Sequence, residues 1–586
     1  MRILVEEYQY DLAKVKDILY GIDALEYPEG RVSVHYVGYY YCAHSAVRDC
    51  VFILPKVLLK DVGGKELVFG KYRPDDMLHP DSNKDLERTE RDFLYKFAVW
   101  IYRAIIVYKN GNGAVYHTKR AQIGRGCRRL SNTYLDILLQ LLQFRRDNRS
   151  FFLFIVKNIH SGCNKINWTR TISRSNAIVQ DSVPIYLRPV NKKRQVNFDE
   201  ELLVIFYSIL HYISETYGFP DEADCMFPLI TGSRFITYLN GYGCTRLRQI
   251  KYKYFSDKAL ELWNLCYAFF DEARQIRVNT EKKDHLLVNS FYIVFEAIID
   301  ELIGDNPLPD GMQKRQDDGK IIDHLYTAKS LIEGKQSATY YIGDSKYYKM
   351  GHSLGSESVY KQYTYAKNVI QFNINLWNKN TPPPSGIRLR DDFTEGYDII
   401  PNFFISAKMD ENFDYTNDGI AQADRKTKHH ISFQFKNRLF DRDTLLLFHY
   451  DINFLYVLSL YARNNAVQKA AWKTKIRDRF RSEIQDWLQQ DYDFYAMSAR
   501  RGVNAEEFFK THFREVLGKT YAPFAHSGIY SLALEKKDPD HSNEALLTLL
   551  RPNFYVEPCK LGDDPEPIIR AAQSRDTSSA ITDGKV

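Results

Sequence analysis

The sequence lacks an apolar run long enough to cross a bilayer. Its most hydrophobic stretches, Leu202 to Ile213 and Leu445 to Ala462, are short or interrupted by His449 and Asp451, whereas a spanning helix needs about 20 apolar residues. The opening Met1-Arg-Ile-Leu-Val5 runs at once into Glu6, Glu7 and Asp11, so no secretory segment is read there and no membrane partner is expected. The eight cysteines are scattered, with no CxxC pair and no Cys/His set at zinc spacing; this excludes a zinc module or a disulfide scaffold and suits reduced thiols in a cytoplasm. There is no GxxxxGK[ST] loop, so nucleotide-driven work is not expected of this chain. Neither sign of charge dominates: 80 basic residues against 74 acidic ones leave +6, and any phosphate binding must come from local patches.

What remains is a globular composition, 44% hydrophobic and 26% charged over 586 residues, which suggests two to four domains. Tyrosine is abundant, 42 against 6 tryptophans, and it clusters with cations in Lys251-Tyr252-Lys253-Tyr254 and Lys346-Tyr347-Tyr348-Lys349. Such rings suit a partly polar interface. Candidate basic patches are Arg125, Arg128 and Arg129, then the runs Arg188 to Arg194, Arg246 to Lys253 and Lys473 to Arg481, although any one patch is more often a solvated face.

Gly- and Pro-punctuated β-branched runs from 30 to 75 predict a β-rich start. Helices are predicted over 131–143, 199–217, 257–276 and 285–303, then strands over 321–331 and 339–346 and a helix over 358–369. Further strands are read around 399–405 and 445–450, and helices at 464–488 and 504–516. After Glu281-Lys-Lys-Asp284 the pattern turns helical again and then enters a polar, Gly/Pro/Asp-rich loop from Gly304 to Lys320, a change in character that places a domain boundary near 280. The expected organisation is a docking region over 1–280, a mixed α/β (α+β) catalytic domain over 281–460, a helical region over 461–561 and a disordered tail over 562–586.

The chemistry is carried by one constellation. Hydrolysing a phosphodiester needs an ion to offset charge on the reacting phosphate, acids to hold that ion, and often a lysine near the attacking water. A β-hairpin can bring an Asp from its first strand beside an Asp/Glu-x-Lys on its second, where period two puts acid and lysine on one face. The order here is Glu296 on a helix, Asp323 in Ile321-Ile-Asp-His324, and Asp344-Ser-Lys346 ending the apolar run from Thr339. Other Asp/Glu-x-Lys triplets, such as Asp318-Gly-Lys320 and Asp583-Gly-Lys585, lie in loops or the tail. Glu296 has Asp300 and Glu301 as rivals on the same helix. Hard oxygen donors at Asp323 and Asp344 favour Mg²⁺, with Mn²⁺ as a substitute. His324, next to Asp323, should point to the opposite face.

With these blocks, and with Ile166-Asn-Trp-Thr-Arg-Thr-Ile172, Asn289-Ser-Phe-Tyr-Ile-Val-Phe-Glu296, Lys361-Gln-Tyr-Thr-Tyr365 and His449-Tyr-Asp-Ile-Asn-Phe-Leu-Tyr456, the chain resembles the LlaJI family of restriction endonucleases. These are similar to the McrC nuclease subunit of McrBC-type systems. The resemblance runs from about 90 to 460 and departs at Ile322, where the PD-(D/E)xK class has its proline. It implies a PD-(D/E)xK core in a bacterial cytoplasm, cutting double-stranded DNA in phage defence with an AAA+ GTPase or NTPase partner. Asp323, Asp344 and the Ser345 carbonyl would hold the ion, Lys346 would serve the water, and Glu296, Gln362 and Tyr365 would support them. The rival readings are a non-catalytic DNA-binding or assembly protein on the same fold, and an RNA-directed nuclease, since a metal site reads phosphate and not the 2′-hydroxyl.

Overall fold

The computed structural model describes residues 2–583 except 43, 48, 80–85, 111–120, 125–129, 132–133, 150–153, 160–164, 225, 272–275, 278–284, 309–311, 317–318, 333–337, 351–354, 380–386, 388, 424–435 and 524–526. The β-rich start forms: Arg2–Val5 pairs parallel with Asp49–Leu54, which pairs antiparallel with Tyr36–Cys42. The next partner comes from far along the chain. His285–Asn289, predicted as the first turns of a helix, is a strand lying between Tyr36–Tyr40 and Ala121–Gly124. Its apolar Leu286-Leu287-Val288 run is buried on both sides, and such a run cannot be told from helix by periodicity alone. Helix Arg88–Asn110 packs on this sheet, Tyr134–Asp147 reaches it where Asp136 accepts the Tyr39 hydroxyl at 2.8 Å, and helices Glu201–Tyr217 and Asp257–Asp271 pack against Tyr134–Asp147.

The second half is built on one five-stranded sheet. Helix α1 (Phe291–Ile303) leads into β1 (His324–Lys329) and β2 (Ala338–Lys346); α2 (Ser356–Asn378) crosses to β3 (Pro401–Lys408); β4 (Ala421–Gln422) and β5 (Leu446–Asn453) follow, then α3 (Phe454–Arg463) and α4 (Ala466–Asp491). The strand order is β1-β2-β3-β5-β4, with β2, β3 and β5 mutually parallel and both edges antiparallel. Parallel neighbours need a crossover, which α2 supplies. One face, with Tyr340 and Ile342, shares a buried cluster with Tyr365 and Val369 of α2. The other, with Tyr341, Phe403 and Tyr450, joins the cluster of α1, α3 and α4.

That larger cluster is continuous from Ile3 through Phe97 and Leu210 to Phe454 and Phe480, so buried packing crosses residue 280, which itself lies outside the described residues. Two contacts make the junction tight. The Arg103 guanidinium is buried and donates to the Tyr217, Gly218 and Ala462 carbonyls, capping two helix ends at once. Gly218, left-handed at φ 68°, sits so close to α3 that a Cβ would lie 2.4 Å from the Arg463 Cα.

Two expectations for the C-terminal part are corrected. The region 461–561 is not simply helical: Tyr492–Ala499, Thr520–Tyr521, Ile529–Glu535 and Phe554–Pro558 form an antiparallel sheet. The alternation of buried Tyr492, Phe494 and Ala496 with exposed Asp493 is the period-two signal for it. Nor is the whole tail irregular, because Pro565–Asp583 is a helix. Its Ile569 and Ala572 are buried and Arg575 reaches Glu557 at 3.0 Å, docking that outweighs the polar composition.

The β-rich start also reaches the end of β2. Glu6, 1% exposed, accepts a hydrogen bond from the Tyr347 hydroxyl at 2.7 Å and from the Lys56 backbone N–H at 3.2 Å. Burial pushes its carboxyl up to about 7. The folded chain therefore keeps a proton where the unfolded chain has lost it, and stability falls as pH rises from the usual carboxylate range towards 7. Glu6→Gln keeps an acceptor and has no proton to lose. It should melt above the parent at about pH 8 and with the parent at about pH 4; an offset that does not change with pH would contradict this.

Candidate active site

Strand β2 positions the site. It is apolar and buried through Thr339 to Ile342, and at Gly343 a Cβ would stand 2.3 Å from the Phe403 ring, so only glycine lets β3 close on it. Beyond that glycine the strand turns polar. Asp344 and Lys346 emerge on one face, with Lys346 Nζ 2.6 Å from Asp344 Oδ2 and 5.2 Å above the Phe404 ring. Ser345 points the other way, its hydroxyl 2.5 Å from Nε2 of the fully buried His324. The other ring nitrogen of His324 lies 3.5 Å from Asp300 Oδ1. Burial lowers the His324 pKa against the pull of Asp300.

Asp323 stands just before β1, and its Oδ2 accepts the Ser345 N–H at 3.2 Å. Its carboxyl is held well above the usual range, first by burial and then by the negative charges of Asp344 and Glu296. The structure thus brings Asp323, Asp344, Glu296 and Lys346 together. It also separates Glu296 from its rivals. Asp300 pairs with Lys314 at 2.5 Å, and His324 and Lys314 keep it ionised below the usual value although burial opposes this. Glu301 pairs with Lys469. Lys314, which sequence reasoning missed, also donates to the Asp323 carbonyl at 2.7 Å and so fixes the backbone beneath the carboxylate; it carries no motif that would have revealed it.

The supporting residues on α2 serve packing. Gln362 is buried, with Nε2 donating to the Ile342 carbonyl at 3.3 Å, and Tyr365 belongs to the apolar cluster of Tyr340 and Ile342. Ile322, in the proline position, is fully buried and its N–H donates to the Lys314 carbonyl at 3.0 Å, a bond proline could not make.

No family model matches this chain, and no curated protein does. Two solved structures align loosely. A chain of the half-complex from the tetradecameric assembly of Thermococcus gammatolerans McrB AAA+ hexamers with bound McrC is 12% identical, with 79% of this chain and 98% of that one covered and a TM-score of 0.25. A chain of the Thermococcus gammatolerans McrBC complex is 12% identical over 52% of this chain and 88% of that one, with a TM-score of 0.16. Superpositions this loose carry no weight for fold or mechanism.

The donor chemistry suits a hard divalent cation. Two carboxylates beside a backbone carbonyl, with a third carboxylate behind them, are oxygen donors of the kind Mg²⁺ takes while keeping several waters. As the side chains stand, no three His, Cys, Asp or Glu groups among the described residues surround one point; Asp344 is instead neutralised by Lys346. Two of the described basic runs find other roles. Lys473 donates to the Gly304 carbonyl at 2.7 Å and Arg477 to that of Ile303 at 2.9 Å, capping the negative end of α1. Arg481 bonds the Ser330 carbonyl at 2.9 Å. Arg246 pairs with Glu201, and Lys251 covers the Trp263 ring at 4.3 Å. Arg125, Arg128 and Arg129 lie outside the described residues.

With side chains 8% and 11% exposed, Asp344 and Lys346 form a buried pair, and removing one partner of such a pair costs about 3–5 kcal/mol. In EDTA, Lys346→Met should lose stability on that scale in urea denaturation. Asp344→Asn in the same chain should restore most of it, as should added Mg²⁺ in the single variant. A Lys346→Met chain as stable as the parent in EDTA would contradict the pairing.

Proposed function

We propose that the chain is a Mg²⁺-dependent endodeoxyribonuclease of the PD-(D/E)xK class, the cutting subunit of a bacterial restriction system that defends against phage. The observation that carries this reading is the convergence of Asp323, Asp344 and Lys346 at the end of a β-hairpin, with Glu296 of the preceding helix beside them.

Asp323, Asp344 and the Ser345 carbonyl would hold the ion. When bound, it offsets charge on the phosphate and makes a coordinated water easier to deprotonate. Lys346 Nζ already lies at the carboxylate and can hold the attacking water or donate to a phosphate oxygen. Phe404 beneath it and the low exposure of Asp344 keep bulk water away, which strengthens these interactions. Ser345 and His324 lock the opposite face of β2, so the carboxylate and ammonium cannot turn away from each other.

Double-stranded DNA is the proposed substrate and an AAA+ GTPase or NTPase the proposed partner, on the motif resemblance. The surface that favours a docking partner is the unit around helix Trp168–Arg174 and the hairpin Ile178–Gln180 with Val183–Ile185. Trp168, Ile172, Val179, Val183 and Leu187 are each more than half exposed there, an apolar surface of the kind that marks interaction sites.

Plasmid cleavage with the purified chain and its partner ATPase tests both. Mg²⁺ or Mn²⁺ should support cutting, EDTA should stop it, and Ca²⁺ should permit DNA binding alone. Asp344→Ala and Lys346→Ala should each lower cutting by at least about 100-fold, a loss typical of removing a group that acts in the transition state, while still co-eluting with the partner. Val179→Asp with Val183→Asp should lose the partner and keep the metal response. Full cutting in EDTA would end the metal-dependent reading, and full cutting by either site variant would end the assignment of this site.

A further inference from the structure

Strands β2, β3 and β5 run parallel and end together. Their register places Asp344, Phe404 and His449 in one row across the sheet and Lys346, Ser406 and Asp451 in the next. In a parallel ladder the members of a row share a face. On the opposite face the corresponding rows are Gly343, Phe403 and Phe448, then Ser345, Ile405 and Tyr450, followed by Ala407 and Ile452. Covered parallel strands read as nearly unbroken apolar runs. Here polar groups break the pattern on one face, concentrated at the carboxyl ends, where open α/β sheets bind their ligands.

These polar groups are organised. His449 Nε2 lies 2.6 Å from the Ser406 hydroxyl and its ring stands edge-on to Phe404, the same ring that carries Lys346. Lys408, two residues past Ser406, is 62% exposed and lies 3.8 Å from Asp451. Asp451 thus pairs with Lys408 and not with the imidazole, so Ser406, His449 and Asp451 do not form a nucleophilic triad. Adjacent strands are about 4.8 Å apart, which puts His449 on the order of 10 Å from Asp344. That is too far to share an ion whose ligands sit at about 2 Å, and near enough for both to meet one nucleic-acid strand.

We infer that Ser406, His449 and Lys408 seat a phosphate flanking the one that is cut, so that the scissile DNA strand crosses the carboxyl ends of β2, β3 and β5. Asp344 and Lys346 work at one phosphate. The His449 ring, steadied by Ser406, and the Lys408 ammonium hold a flanking one and fix the register of the strand over the ion. This inference rests on the nuclease reading.

The test is single-turnover cleavage in Mg²⁺ with the partner present. The substrates are a duplex whose cut site has been mapped and a series in which one flanking phosphate at a time is replaced by a neutral methylphosphonate. His449→Ala and Lys408→Ala should each lower kcat/KM by about tenfold on unmodified DNA, the scale of one hydrogen bond to a charged group. At one flanking position the methylphosphonate should slow the parent by a similar factor and slow neither variant further, because the contact is already gone. Lys408 is exposed, so its variant reports even if His449→Ala melts early. Parental rates in both variants, or losses that multiply with the methylphosphonate at every position, would overturn the seat and leave the nuclease reading standing. Cutting by Asp344→Ala would instead show that the underlying reading had failed.

Discussion

Charge taken out of water at the end of β2 is the constraint on which the rest of the arrangement depends. Two like charges about 4 Å apart repel by roughly 4 kcal/mol at an effective dielectric constant near 20, a large part of the 5–15 kcal/mol by which domains are usually stable. Asp323 and Asp344 stand side by side in a buried position with Glu296 behind them. One ammonium, Lys346, answers Asp344. Asp323 has the Ser345 backbone N–H, and burial together with the neighbouring negative charges raises its pKa. A divalent cation at the proposed site would let all the carboxylates ionise at once.

The fold holds the imbalance in place from several directions. The hairpin supplies register, Phe403 over Gly343 presses β3 against β2, and Lys314 pins the Asp323 backbone. Helix α1 cannot withdraw Glu296, because Lys473 and Arg477 cap its end and Asp300 is tied to His324 and Lys314. The residue after Lys346 belongs to a different layer: Tyr347 packs on Phe291 and Phe295 and donates to Glu6 of the N-terminal sheet. The N-terminal region and the candidate site therefore share packing, and removing residues 1–280 would uncover a core and not merely detach a docking module.

Local pattern made the centre of the site legible. A spacing of two residues on an apolar strand is enough to put Asp344 beside Lys346, and the same rule sends His324 and Ser345 to the far face. Choosing Glu296 over Asp300 and Glu301 needed tertiary structure, since all three lie on one helix and only their partners tell them apart. The role of the basic run from Lys473 to Arg481 was hidden for the same reason: Lys473 and Arg477 answer carbonyls at the end of α1 that sequence does not bring near. His285–Asn289 reads as helix because five apolar-rich residues fit either period. The C-terminal sheet was visible in the alternation from Tyr492, and the helix Pro565–Asp583 was hidden by a polar composition that two buried residues, Ile569 and Ala572, override.

The proposed role of Asp323 and Asp344 is to hold a divalent cation in a site this chain already shapes. Anomalous diffraction from crystals soaked in Mn²⁺ locates such an ion directly. A peak is expected bonded to a carboxylate oxygen of each aspartate and to the Ser345 carbonyl, at about 2.1–2.2 Å, and it should disappear in Asp344→Ala crystals. Ordered density for both carboxylates with no anomalous peak between them, at Mn²⁺ concentrations that support cleavage, would contradict it.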